Sequence, residues 1–166
     1  MLNQSVYEVC KLPFLALLLG AAAVVPRTVQ AQADGAVAIV VHPDTKIDNL
    51  SFDELQRIFR GERQFWPDKS RITLLVRAPV SVERKLVLQK IYKMSEEQFR
   101  QYWIGKMFRA EVAAGPKIVY SSDMARDLVT AIPGAIAFMP ADMLSTGVKV
   151  LRIDGALPGD RNYPLR

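Results

Sequence analysis

Short apolar runs alternate with stretches of helical spacing along the chain. Continuous apolar runs at 37–41, 72–76 and 135–139 are typical of strands buried on both faces of a sheet. Residues 117–120 indicate a further short strand, and the alternation at 148–153 indicates a half-exposed edge strand. Because strands and helical stretches alternate, the sequence predicts an α/β fold with a mixed sheet and helices on both faces.

Capping signals mark the ends of the expected helices. Ser51 and Ser95 are each followed three residues later by Glu or Gln, which is the pattern of a capping box. Ser81 is a third candidate for an N-cap, and Gly61 fits the left-handed position that ends a helix. The expected helices run from Ser51 to Gly61, from Val82 to about Tyr92, from Ser95 through Phe108, and from Ser121 or Ser122 through Ile132.

Aromatic residues are expected to fill much of the core. Trp66 lies in a polar loop and is expected to cover one end of the core, with stacking on a ligand as the alternative. The third helix carries an apolar stripe at helical spacing, and such a stripe usually faces the core. Its members are Phe99, Tyr102, Trp103, Met107 and Phe108.

The first 33 residues have the order of a secretory signal peptide. Lys11 precedes an apolar run from Leu12 to Val25, and small residues follow as far as Ala33. The run is shorter than the roughly 20 residues that a membrane span needs, and an uncleaved anchor is the alternative. We expect cleavage after Ala33, leaving a single domain of residues 34–166 in the periplasm. The sole cysteine, Cys10, lies in the leader, so the mature chain needs no disulfide.

Composition and charge narrow the function classes. Half of the 166 residues are hydrophobic, which allows one real core. The net charge of +5 at pH 7 favours anionic ligands, but the basic residues are dispersed and no nucleic-acid motif occurs, so no nucleic-acid partner is expected. The single histidine, His42, is expected to be structural. The mature chain shows no usual metal-ligand set and no nucleophile paired with a base, so neither an enzyme nor a cofactor is expected.

Candidate binding chemistry lies where the second main strand meets the second helix. Arg77 ends an apolar run, and Ser81 can open the helix that follows. The unpaired amides at a helix N-terminus and its positive dipole end favour oxyanions. A guanidinium adds a two-pronged, charge-assisted contact. The sequence therefore suggests an anion site at Arg77 and Ser81, with a surface salt bridge as the alternative for Arg77.

Several short motifs, in their order and spacing, resemble the second lobe of PstS-type phosphate-binding proteins. Those are periplasmic solute-binding proteins of ABC phosphate importers, and the resemblance implies one lobe of a type 2 periplasmic binding protein. The motifs are Ile58-Phe59-x-Gly61, Trp66 with Asp68, the strand ending in Arg77, Trp103, the stretch from Ile132 to Phe138, Gly155 to Pro158, and Tyr163-Pro164-Leu165-Arg166.

The resemblance also implies a set of ligand-binding residues. In that family, an Arg-Ser-x-x-Ser-Gly-Thr motif grips phosphate as it opens a helix. Arg77 and Ser81 match this motif, whereas Val82 stands at the glycine position and Glu83 at the threonine position. Arg84 follows and could offset the charge of Glu83. The implied ligand is phosphate or a related oxyanion, and the implied partner is the membrane component of an ABC transporter.

On this basis the sequence predicts the first of the two functions below, with the second as the alternative. The first is an exported solute-binding-like protein for phosphate or a similar anion. The second is a binding-protein fold that carries no small ligand and acts as an interaction or sensory module. Arg77 and Ser81 favour the first function. Val82, Glu83 and a mature length of 133 residues, which holds little more than one lobe, favour the second. The oligomeric state, and with it a second lobe supplied by dimerisation, is left open.

Overall fold

The computed structural model describes residues 35–166, so the signal peptide expected at 1–33 lies outside the described residues. Strands and helices alternate within this range as the sequence predicts. In chain order they are β1 (Val37–Val41), β2 (Asn49–Leu50), α1 (Phe52–Phe59), β3 (Thr73–Arg77), α2 (Val82–Val87), a π-helical turn (Leu88–Tyr92), α3 (Glu96–Phe108), β4 (Lys117–Val119), α4 (Ser122–Ala131), β5 (Ala135–Pro140), a 3-10 turn (Ala141–Met143), β6 (Lys149–Val150) and β7 (Arg152–Ile153).

The main sheet is mixed and has the strand order β4-β3-β5-β1-β6. Strand β3 pairs in parallel with β4 on one side and with β5 on the other. Strand β1 runs antiparallel to both β5 and β6. A separate parallel pair, β2 and β7, lies outside this sheet. The predicted α/β class with a mixed sheet is confirmed.

Helices cover both faces of the sheet. Successive strand residues point to opposite faces, so neighbouring residues pack against different helices. On one face, Val40 and Leu75 pack in a cluster with residues of α4. On the other face, Ile39 and Val76 pack with residues of α1, α2, the π-helical turn and α3. All five residues of β1 are buried, as expected for a strand covered on both sides. None of the helices in the described range is long and apolar enough to cross a membrane.

The predicted capping signals are confirmed. Ser51 and Ser95 both form complete capping boxes, with Glu54 and Gln98 as the reciprocal partners. Hydrogen bonds from the Ser51 amide and hydroxyl hold the pKa of Glu54 below its usual value. Ser121 caps α4, its hydroxyl accepting a hydrogen bond from the amide of Met124.

The segment predicted as one edge strand at 148–153 is divided between two sheets. Residues 149–150 pair with β1, and residues 152–153 pair with β2. Leu151 between them is fully buried, and its amide donates to the carbonyl of Ile39. The chain bends there so that the amide of Arg152 reaches the carbonyl of Asp48. The alternation of apolar and polar residues predicts a strand but does not show that its two halves pair with different strands.

The stripe predicted along α3 is only partly in the core. Phe99 and Trp103 are buried, and the next inward position is Lys106. Met107 and Phe108 are exposed, with Phe108 92% accessible. The prediction was wrong for the last turn because steps of four and three residues from Phe99 lead to Lys106, which leaves Phe108 on another side of the helix.

Trp66 covers one end of the core, as predicted. It is buried, and its indole N–H donates to the carbonyl oxygen of Gly134 at 3.0 Å. Gly134 has a φ of +79°, and a Cβ atom there would lie 2.3 Å from the carbonyl oxygen of Arg71. Glycine is therefore required at this position both for backbone conformation and for space.

The two requirements at Gly134 can be separated by a matched pair of variants. Gly155 has the same φ of +79°, but a Cβ atom added there would have no neighbour within 4 Å. We expect Gly155→Ala to lower the free energy of unfolding by about 1–2 kcal/mol through backbone strain. Gly134→Ala should lower it by about 2 kcal/mol more because of overpacking. Equal losses in urea denaturation of the two variants would contradict the close approach to Arg71.

Candidate functional site

Arg77, the last residue of β3, lies at the edge of the sheet where β3 and β4 both end. The chain turns directly after it. The amide of Ala78 donates to the carbonyl of Val119 at 2.9 Å, and the amide of Ser81 donates to the carbonyl of Ala78 at 3.1 Å. Ser81 is the N-cap of α2, as predicted, and its hydroxyl accepts from the amide of Arg84 at 3.3 Å. The strand end and the helix start therefore form one tight corner.

The Arg77 guanidinium is paired inside the protein with Glu83. Its Nε donates to Glu83 Oε1 at 2.7 Å, and the two residues are only 9% and 8% exposed. Two features favour this carboxylate: it faces a buried cation, and it lies in the first turn of a helix, where the dipole is positive. Glu83 thus turns towards Arg77 rather than away from it, and the charge of the predicted anion-binding arginine is balanced by the chain itself.

Arg84 is committed to other partners. Its Nε and Nη2 donate to the two carboxylate oxygens of Glu96 at 2.6 and 2.8 Å, and its Nη1 donates to the carbonyl oxygen of Arg77 at 2.6 Å. Its guanidinium also lies 4.7 Å from the ring centre of Phe99. Arg84 is 2% exposed and ties the end of β3 to the start of α3. It offsets the charge of Glu96, whereas the sequence suggested that it could offset that of Glu83.

Val82 faces solvent and is 77% exposed. Of the five residues proposed for the ligand site, the structure brings Arg77, Glu83 and Arg84 into one buried network and uses Ser81 as a helix cap. These contacts give each charged residue of the set a partner within the protein. Binding of phosphate at this corner stays a prediction.

The space beside Glu83 is small and has acidic residues in its lining. A cavity of about 150 Å³ is bounded by Glu83 and Asp142, together with apolar residues of α2 and β1. No Lys or Arg in the described range lines it. One donor at the corner is unused: Arg77 Nη1 is buried and has no hydrogen-bond partner among the described residues.

Glu96 is the residue of this network that the sequence analysis missed. An acidic residue in the first turn of a helix is sufficiently explained by the helix dipole, and nothing in the local sequence pointed to Arg84, twelve residues earlier. His42 has a local structural contact, since its Nδ1 accepts from the amide of Asp44 at 3.1 Å. Residues 35–166 contain no group of three or more potential metal ligands.

Comparison with solved structures identifies the fold. The chain is similar to an ABC-type phosphate transport receptor from Vibrio cholerae, with a TM-score of 0.61 and 21% identity over 74% of this chain and 48% of that chain. It is similar to a putative phosphate ABC transporter substrate-binding protein with bound phosphate from Clostridium perfringens, with a TM-score of 0.59 and 17% identity over 73% and 46% of the two chains. PstS from Borrelia burgdorferi gives a TM-score of 0.59 and 18% identity over 74% and 49%.

These similarities confirm the predicted fold, one lobe of a PstS-type binding protein. The chain spans about half the length of the structures it matches. At these identities the comparison establishes the fold alone. No protein-family profile and no curated protein matches the sequence.

The contacts of Arg84 can be tested by a substitution that keeps its charge. Lysine has one ammonium group and cannot reproduce three directed hydrogen bonds to Glu96 and to the carbonyl of Arg77. We expect Arg84→Lys to lower the free energy of unfolding by about 2 kcal/mol. Arg100→Lys, on the exposed side of α3, is the matched control and should change it little. Equal effects of the two variants in chemical denaturation would contradict the role of Arg84 as a brace.

Proposed function

We propose that this protein is an exported, periplasmic lobe of the solute-binding type that acts as an interaction or sensory module without a phosphate ligand at the Arg77 corner. The observation that carries the proposal is the buried 2.7 Å ion pair between Arg77 and Glu83. By the family resemblance, Glu83 stands at the position of a phosphate-binding threonine. The Glu83 carboxylate therefore already pairs with the Arg77 guanidinium that an anionic ligand would need.

An anion could bind Arg77 Nε only after displacing Glu83, and an anion at Nη1 would lie close to the Glu83 carboxylate. Separating a buried ion pair costs about 3–5 kcal/mol when one charge is left without its partner. A cost of about 3 kcal/mol corresponds to a loss of more than about a hundredfold in affinity. The displaced carboxylate would also remain nearby and repel the anion, and Asp142 would add to this repulsion.

The cellular location and the partner are inferred from different observations. The order of charge, apolar run and small residues in 1–33 supports export. The names of the similar structures, a transport receptor and a substrate-binding protein, support a membrane component of an ABC transporter as one class of partner. An interaction module that resembles the binding protein could contact such a component without delivering a solute.

A second candidate function is binding of phosphate or a related oxyanion for an ABC-type importer. It is favoured by Arg77 Nη1, which is buried and unpartnered within the described range. Buried donors usually have a partner, and an oxyanion oxygen would supply one.

Phosphate titration of the full chain and of Glu83→Thr separates the two functions. We expect no heat of binding in the unaltered chain at millimolar phosphate. Glu83→Thr should lose about 3 kcal/mol of stability because Arg77 is left uncompensated. Phosphate should then raise the melting temperature of this variant, since a ligand that binds only the folded state stabilises it.

Glu97→Thr is the matched control, because Glu97 is exposed in the first turn of α3. It should neither lose much stability nor gain a response to phosphate. The unaltered chain could instead show a heat of phosphate binding that disappears in Arg77→Ala. That result would refute the proposed module without a phosphate ligand and would support the oxyanion-binding function.

A further inference from the structure

A larger cavity lies at the opposite end of β3 from Arg77. Its volume is about 350 Å³, and it is bounded by the loop after α1, the first residues of β3 and the segment between α3 and β4. This size is within the range of about 300–1,000 Å³ that is usual for small-molecule sites. We name it the β3-entry pocket; it has an apolar floor and a basic rim.

The floor of the β3-entry pocket is apolar. It includes Ile58 of α1, Leu74 of β3 and Trp103 of α3, all of which belong to the core cluster on this face of the sheet. Gly61 packs closely against the indole, because a Cβ atom there would lie 2.9 Å from Trp103 Cη2. Trp103 is 6% exposed and lines the pocket. An aromatic ring placed in the pocket would contact this apolar lining, to which the edge of the indole contributes.

The rim of the β3-entry pocket is basic. Arg63, Arg71 and Lys117 line the pocket, and no Asp or Glu of the described range does. Arg63 is partly neutralised, since its Nη1 lies 3.0 Å from Glu54 Oε1. Arg71 and Lys117 make no ion pair with any carboxylate in residues 35–166, and both are exposed. The two cations are thus available to an anionic group at the mouth of the pocket.

We propose that the β3-entry pocket binds a small aromatic carboxylate. The ring packs on the apolar floor formed with Trp103, and the carboxylate faces Arg71 and Lys117. A guanidinium and an ammonium both form charge-assisted hydrogen bonds with a carboxylate. An inorganic anion could pair with the same two cations but would leave the apolar floor uncovered, so it gains less from the pocket than an aromatic carboxylate does.

This proposal goes beyond the proposed function and stands apart from the Arg77 corner. It gives the module a class of small molecule to sense, at the start of β3 rather than at its end. Its test uses neither phosphate nor Glu83, so failure of one proposal leaves the other unaffected.

Two probes of equal size test the pocket by calorimetry with the full chain. Naphthalene-2-carboxylate carries the required charge, and naphthalene-2-carboxamide is its neutral counterpart. We expect the carboxylate to bind and the amide to bind at least about tenfold more weakly, because it lacks the attraction to two cations. The affinity of the carboxylate should fall as salt is added. No binding of the carboxylate at millimolar concentration, or equal affinities for the two probes, would overturn the proposal.

Variants of the rim locate the bound carboxylate. Arg71→Gln and Lys117→Gln should each weaken its binding by about fivefold, the upper range for an exposed ion pair. Lys90→Gln, which removes an exposed lysine away from the pocket, is the control and should leave the affinity unchanged. An equal loss in Lys90→Gln would show that only the overall charge matters and would refute the site.

A variant that fills the pocket provides an independent check. Ala114 is exposed and lines the pocket, so Ala114→Phe should occupy space there without removing a core contact. We expect this variant to keep its melting temperature and to lose binding of naphthalene-2-carboxylate. A folded Ala114→Phe protein with unchanged affinity would place the probe elsewhere and contradict the proposal.

Discussion

The corner at the end of β3 depends on two linked ion pairs. Glu83 holds the side chain of Arg77, and Arg84 holds the carbonyl oxygen of Arg77 while its other nitrogens bind Glu96. A buried charge is strongly destabilising without a partner, so removing one member leaves another uncompensated. The network joins β3, α2 and α3 through groups that satisfy one another. The same contacts that hold these elements together balance the charge of Arg77 with that of Glu83.

Strand β3 links this closed corner to the pocket at its other end. Arg77 ends the strand within the ion-pair network, whereas Leu74 near its start contributes to the floor of the β3-entry pocket. Parallel pairing with β4 places Lys117 opposite Leu75, the middle residue of the strand, and Lys117 lines the same pocket as Leu74. The fold therefore gives the two ends of one strand opposite properties, a neutralised charge at one and unpaired cations beside an apolar surface at the other.

Much of the fold could be predicted because its signals are local. Apolar runs located the long strands, and serine caps located the helix starts. The partner change at Leu151 and the exposure of Phe108 could not be predicted, because both depend on where the chain meets the rest of the core. The positions of Arg77 and Ser81 were also predicted from local signals. Arg77 ends an apolar run, and Ser81 is a serine cap that opens the next helix.

The remaining features of the two sites depend on contacts between distant residues. The sequence placed Glu83 within the predicted site but could not fix the direction of its side chain. Glu96 had a sufficient local explanation as a first-turn acid. Arg71 and Lys117 are far apart in sequence and meet at one pocket only through the parallel pairing of β3 and β4. The sequence therefore shows where charged residues lie along the chain, whereas their ion-pair partners depend on the folded structure.

The central claim is that the Glu83 carboxylate accepts the hydrogen bond from Arg77 Nε and so replaces an anionic ligand there. Nuclear magnetic resonance of arginine Nε–H groups in the full chain tests it most directly. The Arg77 signal can be assigned by its absence in Arg77→Lys. We expect this signal to exchange slowly with water, to keep its chemical shift on addition of millimolar phosphate, and to shift in Glu83→Gln. A phosphate-dependent shift of the Arg77 signal in the unaltered protein would contradict the pairing of Arg77 with Glu83 in place of an anion.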